Sequence, residues 1–218
     1  MTNRFNQIAS RIRSLTPVLL IAVLMTSCLR SNPSHFFTLE PVINGESKAN
    51  KMEKRNVHAT ILGIGPIRLP GYMNRPQIVT RLNNNEVHIS EFNRWASPVA
   101  NRIPTVLQNN LAALLPAMEV TEYSLHQHLK FTYQAIIDIV EFIGQPNGDV
   151  VLKARWIFVD KSQGGTESRL YAGSYTRKAK DKTHNSVVSA MTELLGDLSK
   201  DIAKTVPDAA TKDTEKSE

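Results

Sequence analysis

Cys28 is the only cysteine in 218 residues. A lone thiol excludes an intramolecular disulfide and a cysteine-based structural zinc site. The other residues capable of chemistry form no enzymatic constellation. His126-x-His128 would place two imidazoles on the same face of a strand, a start for metal binding, but no third ligand stands nearby in the sequence. Gly63-x-Gly65 lacks the third glycine of a dinucleotide fingerprint and reads as packing around a strand bulge. Asp138 and Glu141 fall in a β-rich run and read as solvent-facing or paired carboxylates rather than catalytic acids. There is no Gly-x-Ser-x-Gly elbow and no phosphate-binding loop. The expectation is a protein that is not an enzyme and holds no cofactor or metal.

The position of Cys28 carries more information than its reactivity. Residues 1–14 are polar and basic, Leu15 to Met25 are almost wholly apolar, and Thr26 and Ser27 are small. This is the anatomy of a secretory signal peptide. Eleven helical residues rise only about 16 Å, too short for a hydrocarbon core of about 30 Å. Leu24-Met25-Thr26-Ser27-Cys28 resembles the lipobox of bacterial lipoproteins, with Met25 where the family prefers Leu. The resemblance implies cleavage before Cys28, a diacylglyceryl group on its sulfur and an N-acyl chain, palmitate or similar, on its new amine. Several acyl chains anchor firmly, since each buried CH₂ contributes about 0.8 kcal/mol. Leu29, rather than Asp, follows the cysteine, which by the same resemblance points to the outer membrane.

The formal net charge is +6, but Arg4, Arg11 and Arg13 lie before Cys28, which leaves 23 basic against 20 acidic residues. No clustered basic stripe suggests a nucleic-acid partner. The chain, 41% hydrophobic and 21% charged, suits one globular domain. We divide it into a signal peptide (1–27), a tether (28–34), a folded domain (35–206) and a disordered charged tail (207–218).

Within the domain, residues 35–39 read as a strand and 44–56 as a polar loop. Residues 57–69 read as a strand interrupted around Gly63, Gly65 and Pro66. Strands over 77–82 and 86–90 flank Asn83-Asn84-Asn85, a hairpin that asparagine's tolerance of positive φ would favour. Ser97 as N-cap and Pro98 at the first helical position open a helix with Val99, Ile103, Val106, Leu107, Leu111, Leu114 and Leu115 on one face. Pro104 requires that this helix either bends or begins near Asn101. Residues 125–143 read as a long strand, 149–160 and 168–178 as two more, and 183–205 as a second amphipathic helix. The order strands–helix–strands–helix predicts α+β: a mostly antiparallel sheet with two amphipathic helices packed on one face.

The segment from Arg68 through Tyr72 and Arg75 to Arg81 is dense in Pro and Arg. It reads as a loop that packs Tyr72 on the core, or as a partner-facing loop using Arg68, Tyr72, Arg75 and Arg81. Glu91 to Ala96 likewise reads as core packing of Trp95 with an Arg–Glu pair.

These blocks, Ile64 to Leu69, Arg75-Pro-Gln-Ile-Val-Thr-Arg81 and Arg94-Trp95-Ala96 followed by Pro98, resemble the PqiC family of ABC-type transport auxiliary lipoproteins, over about Phe36 to Leu198. The resemblance implies an outer-membrane lipoprotein facing the periplasm. Its partners would be an MCE-domain conduit protein and an integral inner-membrane component that together carry lipid between membranes and support envelope integrity. It would act by docking, and could form a homo-oligomer. The alternative is a stand-alone periplasmic lipid- or glycan-binding lipoprotein.

Overall fold

The computed structural model of the chain describes residues 32–43, 60–126, 128–163 and 167–207. The folded unit begins at His35. Its elements run β1 (His35–Phe37), β2 (Ile61–Arg68), a 3-10 turn (Gly71–Met73), β3 (Gln77–Arg81), β4 (Val87–Trp95), α1 (Val99–Leu114), β5 (Glu119–Glu122), β6 (Tyr133–Gly144), β7 (Asp149–Asp160), β8 (Glu167–Lys178) and α2 (His184–Thr205). The class is α+β, with two helices and one large, mixed, mostly antiparallel sheet.

The sheet is built around β6. Along one edge β6 pairs antiparallel with β7, and β7 with β8. Its other edge is shared: β2 runs parallel to it from Tyr133 to Asp138, and β3 meets it at Thr80↔Gly144. From β2 the sheet continues to β5, and from β3 to β4 and β1. The pairs β1–β4, β2–β5, β2–β6 and β3–β6 are parallel. Parallel neighbours need a crossover, and the chain between β2 and β5 supplies one in α1.

Alternation sets the burial. On β7, Val150, Leu152, Ala154, Trp156 and Phe158 are buried and share one core with both helices. The expected faces of the helices are buried: Val99, Ile103, Val106, Leu107 and Leu111 on α1, and Val187, Val188, Met191, Leu194, Leu195, Leu198 and Ile202 on α2. Helix α1 contacts β2 and β5, α2 contacts β6, β7 and β8, and the helices touch each other.

Several local expectations are corrected. Ser97 does not cap α1; Pro98 is the N-cap residue, and Asn101 N–H bonds the Pro98 carbonyl in a tightened first turn. The helix starts at Val99 rather than near Asn101 and carries buried Pro104 inside it. The Asn83–Asn85 turn uses no positive φ; Asn85 N–H donates to Asn83 Oδ1 (3.1 Å) and Asn83 Nδ2 to Glu86 Oε2 (2.8 Å). Side-chain capping thus replaces the left-handed backbone. Strand β4 extends to Trp95, and Arg94 Nε donates to the Glu91 carbonyl rather than its carboxylate. Residues 125–126 and 128–132 are not strand, and the short β5 takes the place beside β2. The expected interruption of β2 is present: the register shifts between Ile64 and Ile67, where Gly65 has φ +108° and precedes a cis proline. The loop at 44–56 lies outside the described residues, as does the tail after Pro207.

After β1 the chain crosses the two helices as a strap. Asn110 on α1 is fully buried, and its Oδ1 accepts Val42 N–H (3.1 Å) and Ile43 N–H (3.2 Å). Its Nδ2 donates to Ser199 Oγ on α2 (3.3 Å), which donates to the Leu195 carbonyl (2.7 Å). Val42 packs where a Cβ on Gly196 would stand, so only glycine allows this approach. Arg102 Nε holds the Leu39 carbonyl (2.7 Å).

Candidate interaction surfaces

The register of β6 breaks between Ile139 and Glu141, and this break organises the predicted loop residues. Tyr72, carried inward by the 3-10 turn, accepts Phe142 N–H at 2.8 Å. Burial of its ring raises the phenol above its ordinary pKa, and the Phe142 N–H opposes that rise. Arg81 reaches Glu141 (3.0 Å) and the Asn84 carbonyl (3.1 Å), while Lys153 holds the second oxygen of Glu141 (2.8 Å). The bond from Lys153, aided by the Arg81 charge, keeps the Glu141 carboxyl below the usual range. Glu141 is therefore a paired carboxylate. Tyr72 and Arg81 commit their polar groups to the fold, which supports the packing alternative for these two.

Arg68 and Arg75 are exposed. Arg68 stands opposite Asp138, Asp138 opposite Arg155, and Arg155 opposite Ala172, one row across four strands. Among the described residues, neither Arg68 nor Arg155 is within ion-pair distance of Asp138. The neighbouring row is Ile136, Ile157 and Leu170, with Leu170 70% exposed. Beside these rows lies a shallow depression of about 290 Å³ between Val140, Lys153, Arg155, Ala172 and Ser174. The inward parity of β8 faces α2, since Tyr175 hydrogen-bonds Asp201 (2.9 Å) and Arg177 pairs with Glu193 (3.0 Å). The rows thus lie on the opposite face. The sequence reading missed this face. Its signal was the pair Ile157 and Leu170 at outward positions, where alternation calls for polar residues.

His126 and His128 lie in a turn, not on a strand, so a strand's alternation does not align them. His126 Nδ1 is within hydrogen-bond distance of Thr121 Oγ1 (3.1 Å) and the Glu122 carbonyl (3.2 Å). No group of three metal-ligating side chains occurs among the described residues. Gly63 lies beneath the Phe131 ring, and the Gly65 carbonyl accepts from Gln134 Nε2 (2.9 Å). Gly65 belongs to the bulge, while Gly63 precedes it in regular register with Gln134. Cys28 lies outside the described residues.

Residues 37–203 match the family described as ABC-type transport auxiliary lipoprotein component. The chain belongs to that family. Among solved structures it is similar to an uncharacterized protein (TM-score 0.65, 17% identity), with 80% of this chain and 99% of that chain covered. It is also similar to protein XCC0632 from Xanthomonas campestris (TM-score 0.59, 12% identity, 84% and 99% covered). At these identities the likeness concerns the fold. No curated protein matches the chain. The family assigns this auxiliary component a coarse role in ABC-type transport as a lipoprotein, in agreement with the resemblance drawn from the Arg75–Arg81 and Trp95 blocks.

Proposed function

We propose that the protein is a non-enzymatic outer-membrane lipoprotein subunit of an MCE-type intermembrane lipid transport system. Cys28, carrying diacylglyceryl and N-acyl chains, anchors it facing the periplasm. The domain acts by docking to the periplasm-spanning conduit and its inner-membrane partner, alone or as a homo-oligomer, and holds no cofactor. The single observation that carries this reading is the family match over 37–203, nearly the whole folded domain. The described residues add a scaffold on which a depression of about 290 Å³ is open and shallow, a form suited to contact rather than to chemistry.

The test is purification of the tagged, full-length protein from envelopes in mild detergent. Co-purification of an MCE-domain protein, together with an acylated N-terminal cysteine by mass spectrometry, is the expected result. Loss of membrane association in Cys28→Ala should accompany it. A protein purified without any MCE-domain partner, or one whose Cys28→Ala variant still fractionates with the outer membrane, overturns the docking and the anchoring claims respectively.

A further inference from the structure

Half of the large apolar side chains that stand exposed among the described residues fall on β1, β4 and the turn joining β3 to β4. They are Phe36 (65% exposed), Leu82 (49%), Val87 (41%), Ile89 (41%) and Phe92 (38%). The register shows that they are not scattered. Phe36 is opposite Arg94, which is opposite Gln77; Ile89 is opposite Val79, and Val87 opposite Arg81. These rows share the face that carries the Arg81–Glu141 pair, away from buried Phe37-side neighbours Ile78 and Trp95. Phe92 precedes Arg94 in the stretch where β4 bulges against β3. The result is an aromatic and aliphatic patch on a face with no element over it among the described residues.

The covalent chain says what lies near this patch. Six residues lie between Cys28 and His35, the first residue of β1, and the seven steps fully extended reach only about 25 Å. A domain of this size is about 40 Å across. An acylated Cys28 therefore confines β1, and β4 hydrogen-bonded to it, to the membrane-proximal side of the domain.

We propose that the outer face of β1, β4 and β3 rests on the phospholipid interface that holds the acyl chains of Cys28, with Phe36 and Phe92 entering the headgroup region. This rests on the lipidation reading above. Phenylalanine partitions into that zone because its ring is removed from water without a polar group to satisfy. Arg94 borders the patch, where it keeps its charge in water. Contact on this face orients the domain, so that α2, packed on the opposite face of the sheet, points away from the bilayer.

The test uses the lipidated full-length protein in vesicles of phosphatidylethanolamine and phosphatidylglycerol. Acylation occupies the Cys28 sulfur, so Phe36→Cys, Phe92→Cys or Lys200→Cys, the last at an exposed position of α2 on the opposite face, each introduces one reactive thiol for an environment-sensitive fluorophore. Headgroup-nitroxide lipids should quench the labels at 36 and 92 at least threefold more than the label at 200, since interfacial contact buries a group by about 5–10 Å. Equal quenching at all three positions, in protein whose mass confirms acylation, overturns the surface contact and leaves the anchor standing. Labels at 36 and 92 that are shielded from aqueous iodide yet untouched by lipid nitroxides would mean a protein partner or a second copy covers the patch, and also overturn it. A mass without acyl groups removes the anchor and the proposal together.

Discussion

The hydroxyl oxygen of Tyr72 accepts the backbone N–H of Phe142 at 2.8 Å, joining positions 70 residues apart. Phe142 sits just after the irregularity in β6, so a side chain takes the place of a partner strand. Tyr72→Phe leaves that N–H buried without an acceptor. Urea titration should show a loss of about 1–3 kcal/mol with an unchanged slope. Exposed Arg75→Ala, in the same segment, should stay within about 0.5 kcal/mol. Equal losses for the two variants would contradict the packing role assigned to Tyr72.

Glu141 titrates in company. Its folded-state pKa lies below the ordinary value of 4.5, first through Lys153 and then through Arg81. A depressed carboxyl contributes stability that is present above the unfolded pKa and lost as pH falls through the folded one. Wild type should therefore exceed Glu141→Gln by on the order of 1 kcal/mol near pH 7, a figure kept low because Lys153 is half exposed. The gap should close below pH 4.5. A gap that widens on acidification would show that the pairs do not stabilise the fold.

Asn110 is the most buried polar side chain of α1 and satisfies two strap amides at once. Asn110→Ala should cost about 2–3 kcal/mol. Hydrogen exchange should then speed up at Val42 and Ile43 before any change at Leu62 or Leu152. Uniform acceleration across the sheet would mean that the strap is not a separate locking element.

Gly196→Ala places a methyl group where Val42 packs and should cost about 1–3 kcal/mol. Combining it with Val42→Ala should recover most of that loss, a coupling that a double-mutant cycle reads directly. Additive losses would show that the close approach is not the cause.

Much of the scaffold was legible because its residues report their own burial. The alternation of Val150 to Phe158 and the seven apolar residues of α2 each state a period. What failed depended on distant partners. Glu119–Glu122 is too short and polar to announce a strand, and becomes one only because β2 lies beside it. Leu125 to Phe131 has strand composition, yet none of its described residues pairs in the sheet. Of the four loop residues, composition could not separate Arg68 and Arg75, which face solvent, from Tyr72 and Arg81, because the difference lies on β6, 60 or more residues away. The apolar rows on the outer sheet face were hidden similarly, since Ile136, Ile157 and Leu170 become neighbours only through the register.

The shared edge of β6 has a mechanical consequence. Between β2 and β6 five register pairs tie the strands, but β3 meets β6 at one, Thr80↔Gly144. The β1–β4–β3 portion is thus a plate joined to the main sheet by a narrow seam, with Tyr72–Phe142 and Arg81–Glu141 as rivets beside a single stitch of backbone. A load passing from β3 to β6 crosses that seam largely through a phenol and an ion pair, beside the strap that ties β1 to the helices.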